Sequence, residues 1–256
     1  MTGLKLLCIL LLTVCCVDAG CQSTTYTQFW NEFSLSRPLK GKWSIEFNLG
    51  QSWTATPPDH KSMFASNAQI YGRAWIHYYF TAKWKLSIFY AYFYNKYVPE
   101  IDQREYPESR LALQATWYIK KTRLTLLSRM RLEDRHIRNT DGYNEGVYRF
   151  RDQVKILYPL NGKRIRTGIF YGIASDELFF KSPSNVTGAQ FFDRNRLTVG
   201  GGYSLTDDIQ VELTYVNDYI PRPSLTEIYN ALQLNFSFNN LMPNIKKLLK
   251  KKPRVN

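Results

Sequence analysis

Hydrophobic and polar residues alternate along most of this chain. The alternation is clearest over residues 42–53, where Trp43, Ile45, Phe47, Leu49 and Trp53 fall on one face. The residues between them are mostly lysine, serine, glutamate and asparagine. Because successive side chains of a β-strand point to opposite faces, this pattern predicts a strand with one apolar and one polar side.

About eleven segments of this kind follow one another, with turn signals and no helical periodicity between them. Each has at least the roughly 9–11 residues that a tilted strand needs to cross a bilayer. The predicted strands are residues 26–35, 42–53, 66–80, 84–97, 109–119, 123–135, 147–158, 164–178, 191–203, 208–219 and 227–238.

The predicted connections are alternately short and long, as in outer-membrane barrels. Aromatic residues gather near the strand ends, where such barrels carry aromatic girdles; an aromatic core of a soluble protein is the alternative. Because these barrels usually have an even number of strands, we predict ten to twelve, with twelve preferred. The fold class is therefore all-β, a single antiparallel up-and-down transmembrane β-barrel.

The N-terminus has the features of an export signal. An apolar run over residues 4–17 carries a single early cation, Lys5, and is shorter than the roughly 20 residues of a transmembrane helix. We predict cleavage after Ala19; a lipoprotein modified at Cys21 is the alternative. Three of the four cysteines lie in this leader and the fourth is Cys21, so the mature chain has at most one and no internal disulfide is expected in the barrel. The predicted organisation is a signal peptide at 1–19, a barrel at 20–240 and a basic tail at 241–256.

Positive charge is the main compositional bias. The net charge is +13, and the tail contains lysines and an arginine but no acidic residue. An exported barrel does not normally meet nucleic acid, so we expect none as a partner. Outer-membrane lipid, lipopolysaccharide and a small anionic solute are the expected partners of a monomer. The tail is predicted to be solvated, with an amphipathic membrane-surface segment as the alternative.

The alternation also predicts which charged residues face the lumen. Two interpretations remain open for them, since arginine pairs well with carboxylates and rings of arginine also select anions. They form either an ion-pair network that fills a narrow barrel or the lining of an anion-biased passage. The candidates are Arg129, Arg131, Glu133, Arg135, Arg149, Arg151, Lys155, Arg166, Asp176, Arg196 and Glu212.

Catalytic chemistry has little support in the sequence. The three histidines are His60, His77 and His136, and none has an obvious serine partner along the chain. No metal-ligand spacing is present. We therefore expect no enzyme activity, catalytic residue, metal or cofactor, while a lipid-active enzyme and a soluble or lipoprotein β-sandwich remain the alternatives.

Several short stretches resemble an uncharacterised family of outer-membrane β-barrels from Gram-negative bacteria, of the domain of unknown function 2490 type. The resemblance covers most of residues 29–238, and the arginine-rich strand is its most specific part. The tail beyond Phe238 departs from it. The resemblance implies a location in the cell outer membrane and no known activity, so the expected role is structural or that of a narrow, porin-like passive conduit. The matching stretches are KWSIE at 42–46, RMRLEDR at 129–135, RFR at 149–151, PL at 159–160, DELF at 176–179, NR at 195–196 and GGGY at 200–203.

Overall fold

Alternating side chains and tight turns build a wall of β-strands. A computed structural model describes residues 23–57, 61–98, 103–139, 141–223 and 225–240. The predicted signal peptide, Cys21 and the basic tail lie outside these residues. Within the described chain the strands are β1 (Ser23–Pro38), β2 (Trp43–Thr54), β3 (Ser66–Tyr79), β4 (Trp84–Val98), β5 (Gln103–Lys121), β6 (Thr125–Arg138), β7 (Asn144–Pro159), β8 (Phe170–Lys181), β9 (Phe192–Ser204), β10 (Ile209–Ile220) and β11 (Thr226–Asn239).

The eleven strands of the described residues close into one barrel. Strands adjacent in sequence pair in antiparallel fashion, and β1 closes the barrel by pairing in parallel with β11. The all-β barrel class is confirmed, and the strand count lies within the predicted range, one below the preferred twelve. The parallel closure explains the odd number, because an up-and-down barrel with antiparallel pairs throughout requires an even one.

The strand bounds differ most from the prediction before β8. Strand β8 begins at Phe170, because residues 160–169 form a hydrogen-bonded turn. Asn161 Oδ1 accepts from the Phe170 amide at 2.8 Å, and Gly168 has a φ of 80°, which glycine adopts without strain. The Thr167 amide and hydroxyl donate to Asp207 Oδ1 at 2.9 and 2.8 Å, and these bonds lower the pKa of the Asp207 carboxyl. Residues 164–169 are therefore turn rather than strand.

The outer surface of the barrel is largely apolar. Phe47, Leu49, Leu132 and Leu213 point outward from three different strands, and about half of each side chain or more is exposed. Their in-strand neighbours point inward, and most are polar or charged. The observed faces thus match the predicted alternation of strand β2. Within the described residues, no helix is long and apolar enough to cross a membrane.

The interior differs between the two ends of the barrel. We call the end where β2, β4, β6, β8 and β10 finish the loop end, and the opposite end the turn end. Near the loop end, Ile137, Val147, Val216 and Ile220 face inward and are almost fully buried. Tyr26 and Tyr229 pack edge to face beside Ile220, with ring centroids 5.4 Å apart. Apolar packing therefore contributes to the interior near the loop end.

Candidate functional site in the barrel lumen

Glu133 is the centre of a buried ion-pair network in the lumen. Its register partner across the β6–β7 ladder is Arg149, whose Nη2 lies 2.7 Å from Glu133 Oε2. Arg151 and Arg131 approach the other carboxylate oxygen at 2.9 and 3.2 Å. The Glu133 side chain has no exposed surface. Because an unpaired buried carboxylate is costly, these guanidinium contacts are needed to keep Glu133 inside.

A second carboxylate, Glu177 on β8, extends this network toward the turn end. Arg151 donates to both of its oxygens, from Nε at 2.8 Å and from Nη2 at 2.9 Å. Arg129 adds a contact at 2.6 Å. Arg151 therefore bridges Glu177 and Glu133 across the β6, β7 and β8 strands. The planar guanidinium suits this role because it presents several donors in a fixed arrangement.

Two aspartates continue the network on β9 and β10. Asp218 binds Arg196 through both oxygens, with Nε at 2.5 Å and Nη2 at 2.6 Å. Asp193 lies 3.6 Å from Arg149 and 3.2 Å from Arg222, which comes from the connection between β10 and β11. The same carboxylate network therefore ties a loop-end connection to the wall.

The arginines also pack around Phe179, which is almost fully buried on β8. Its ring centroid lies 4.3 Å from the Arg151 guanidinium carbon and 5.3 Å from that of Arg196. Arg149 and Arg194 approach the same ring at 5.4 and 5.7 Å. Cations over an aromatic face are attracted by its quadrupole. Phe179 thus fills the space between guanidinium groups that would otherwise repel one another.

The remaining space is a cavity of about 550 Å³ with a surplus of positive charge. Among its described lining residues are eleven lysines and arginines but only five carboxylates. Lys155 and Lys85 belong to this lining, and neither makes an ion pair within the part of the chain that the structure describes. Lys85 also lines a second cavity of about 460 Å³ at the turn end. The two cavities thus meet at Lys85.

Most of the predicted lumen residues lie on the inner face. Those that line the central cavity or the buried network are Arg129, Arg131, Glu133, Arg135, Arg149, Arg151, Lys155, Arg196 and Glu212. Arg135 pairs with Glu108 at 2.7 Å, and Glu212 accepts from the Tyr171 hydroxyl at 3.0 Å. The lumen therefore contains both the ion-pair network and the excess of positive charge that the sequence suggested as alternatives.

Two of the predicted lumen residues are misplaced by the sequence reasoning. Asp176 faces outward, because it lies opposite Val154 and Leu197 in the two ladders of β8 and binds the Asn195 side chain at 2.6 Å. Arg166 lies exposed in the turn before β8 rather than in a strand. Strand β8 carries apolar side chains on both faces, so its alternation did not reveal the face of residue 176, and Glu177 is the carboxylate that points inward.

The sequence reasoning also missed several acidic partners of the network. Glu108, Asp193 and Asp218 are buried against arginines, although Glu108 and Asp193 lie near strand ends where the alternation is weakest. Asp218 lies on the inward face of β10. It shares that face with the apolar residues Val216 and Ile220, so the sequence pattern did not indicate a buried acid there. These residues could have been found only from the register of neighbouring strands.

His77 has a serine partner that its sequence neighbours do not reveal. Its Nδ1 lies 2.8 Å from Ser87 Oγ on β4, and its Nε2 lies 3.3 Å from Glu46 Oε2 on β2. No serine partner of His77 was evident along the chain, and the pairing of β3 with β4 supplies one from the neighbouring strand. The hairpin of β3 and β4 places the two residues directly opposite each other.

Comparison with known proteins identifies a family without a known activity. A family model described as "Protein of unknown function (DUF2490)" matches residues 27–229. No curated protein matches the chain. A solved structure titled "Bacterial polysaccharide outer membrane secretin" is similar with a TM-score of 0.44 and 14% sequence identity. That match covers 76% of this chain and 63% of the other, so it spans less than two thirds of the solved structure.

Proposed function

This chain belongs to the DUF2490 family of proteins of unknown function, and from that premise we propose that it is an outer-membrane β-barrel that accepts small anions. The observation that carries the anion preference is the cationic surplus of the central cavity, with Lys85 and Lys155 lacking acidic partners in the described structure. The buried ion-pair network supplies the rigid wall in which those lysines are held.

The proposed location rests on the closed wall and its apolar outer surface. In a bilayer each backbone donor and acceptor needs a partner, and a closed barrel provides one for every strand. Outward residues such as Leu49 and Leu132 would face lipid, while the inner network remains shielded from it. The export leader predicted at residues 1–19 agrees with this location. Lipid and lipopolysaccharide are the surroundings proposed for a monomeric barrel.

The proposed conduit is narrow and restricted near the loop end. Ile137, Val147 and Ile220 are buried on the inner face there, and we expect them to narrow the passage. An anion entering from the turn end would pass Lys85 before it reached Arg129 and Lys155. Because hydrophobic constrictions control conduction in many channels, we expect small conductance steps rather than a wide pore.

The direct test is single-channel conductance of the refolded protein in planar bilayers under a KCl gradient. We expect small steps whose reversal potential indicates a preference for chloride over potassium. Heat-modifiability on gels would verify that the protein in the bilayer is folded. A folded barrel that gives no current, or one that prefers potassium, would overturn the conduit.

The double variant Lys85→Met and Lys155→Met is expected to reduce the chloride preference by at least about threefold. Each change removes a lumenal charge while keeping a long apolar side chain. Reversal potentials under the same salt gradient would measure the effect, and Lys96→Met, on the outer surface of β4, is the matched control. Equal selectivity in the double variant and the control would exclude these lysines as determinants of anion preference.

A further inference from the structure

We propose that Ser87, His77 and Glu46 form an acyl-transfer site that hydrolyses carboxylic esters bearing a negative charge. The three residues lie on neighbouring strands near the turn end, apart from the Glu133 network. This activity goes beyond the proposed anion conduit, with which it shares Lys85.

The geometry provides the nucleophile, the base and an orienting carboxylate in one row. Ser87 Oγ lies 2.8 Å from His77 Nδ1, and the opposite ring nitrogen lies 3.3 Å from Glu46 Oε2. The β3–β4 register pairs His77 with Ser87, so the contact is fixed by the ladder rather than by a mobile loop. Such an arrangement is recognised by distances and roles, not by the order of the residues in the chain.

The histidine ring is held in this position by packing. His77 is buried, and its ring stacks on Trp75 with centroids 5.5 Å apart. The carboxylate lies at Nε2, so the Nε2–H tautomer leaves Nδ1 free to accept the serine proton. Glu46 is itself oriented by Asn48, which donates to Glu46 Oε1 at 2.9 Å. A base with a fixed ring and a defined tautomer is what serine activation requires.

The adjoining cavity indicates the class of substrate. It measures about 460 Å³, which lies within the usual range for small-molecule sites, and His77, Glu46 and Lys85 line it, whereas Ser87 is buried next to His77. Lys85 projects from the same face of β4 as Ser87, two residues away. Its ammonium group would attract an anionic substrate and stabilise negative charge that develops on the carbonyl oxygen. Tyr79 supplies part of the apolar surface for the acyl chain.

The proposed reaction has two balanced steps. Ser87 Oγ attacks the ester carbonyl carbon while its proton moves to His77 Nδ1, and the C–O bond to the alcohol breaks as that proton passes to the leaving oxygen. Water then gives a proton to His77 and attacks the acyl-serine. The bond to Ser87 Oγ breaks, the proton returns to Ser87, and the products are a carboxylic acid and an alcohol. Ser87 and His77 are the catalytic residues, and Glu46 is a positioning residue.

The first test is covalent labelling of the folded barrel in detergent with a fluorophosphonate reporter, followed by mapping of the labelled residue by mass spectrometry. An ordinary serine does not react with this probe, so labelling at Ser87 would show an activated nucleophile. We expect labelling to be lost in Ser87→Ala and to slow at least a hundredfold in His77→Gln. Ser175→Ala, which removes another buried inward-facing serine, is the matched control and should label normally.

The positioning role of Glu46 has a separate readout. In Glu46→Gln the neutral amide no longer stabilises the imidazolium, so the pH midpoint of labelling should move to lower pH as the maximal rate falls. A residue that only holds the strand together would change the amount of folded protein without moving that midpoint. An unchanged midpoint would remove Glu46 from the proposed site.

Three ester probes distinguish the source of the substrate. Hydrolysis of p-nitrophenyl succinate faster than the neutral p-nitrophenyl butyrate would support an anionic soluble ester. Release of fatty acid from phosphatidylglycerol in mixed micelles would instead identify a lipid ester as the source. Folded wild-type protein that neither labels at Ser87 nor hydrolyses any of these esters would overturn the proposal. Conductance is measured separately. Failure of the labelling and hydrolysis tests would therefore not bear on the proposed anion conduit.

Discussion

Glu133→Gln is expected to lower the free energy of unfolding by about 3–5 kcal/mol, the usual cost of breaking a buried ion pair by removing one partner. The variant keeps the size of the side chain but removes the charge that Arg131, Arg149 and Arg151 share. Arg149 and Arg131 are themselves buried, so their charges would be left without full compensation. Repulsion between these arginines should then push the neighbouring strands apart.

Urea unfolding of the refolded barrel in detergent, monitored by tryptophan fluorescence, would measure this change. Asp141→Asn is the matched control, because it also removes one carboxylate charge from an exposed position without an ion pair in the described structure. The temperature of the heat-modifiability transition should fall for Glu133→Gln and stay constant for the control. If both variants unfold alike, the Glu133 network does not hold the wall together.

Gly200→Ala is expected to destabilise the barrel by about 2–4 kcal/mol, in the upper part of the usual range for overpacking or slightly above it. A Cβ at Gly200 would lie 2.6 Å from the Thr214 Cα and would overlap the Leu213 carbonyl oxygen. Both atoms belong to the β10 backbone, which cannot rotate away as a side chain could. The β9–β10 ladder would have to separate locally to admit one methyl group.

Gly201→Ala is a stringent control, because the two glycines are adjacent in the same strand. A Cβ at Gly201 would meet the Tyr171 carbonyl oxygen at 3.5 Å, an ordinary contact, on the outer face. Replacing it should be neutral or slightly stabilising, since alanine restricts the unfolded chain. Matching urea midpoints for the two variants would show that the close approach of β9 and β10 is not required.

The architecture could be predicted because one physical signal repeats along the whole chain. Strands β2, β6, β7 and β9 each carry apolar side chains on one face and charges on the other, so their faces follow from position alone. Strand β8 has no such contrast. Phe170 and Phe180 point outward while Tyr171, Ile173 and Phe179 point inward, and two acidic residues follow each other between them. Its face therefore depends on the pairing with β7 and β9.

The candidate sites were less accessible to sequence reasoning because they depend on pairing between strands. The arginines of β6 and β7 could be assigned to the lumen, but their carboxylate partners come from strands far away in the chain. The contact of His77 with Ser87 had a usable signal, since the two residues lie at equal distances from the tight turn between β3 and β4. Applying hairpin register to each turn would have revealed that pair.

The parallel pairing of β1 with β11 constrains the order in which this protein assembles. Ser23 pairs with Thr226 and Ser36 with Asn239, so the closing contacts join residues from opposite ends of the described chain. The ring cannot be completed until the last strand is present, and contacts of such wide sequence separation form slowly. Until then the first strand exposes a row of unpaired backbone groups to other chains. The free edge of β1 must therefore be protected against aggregation while the barrel assembles.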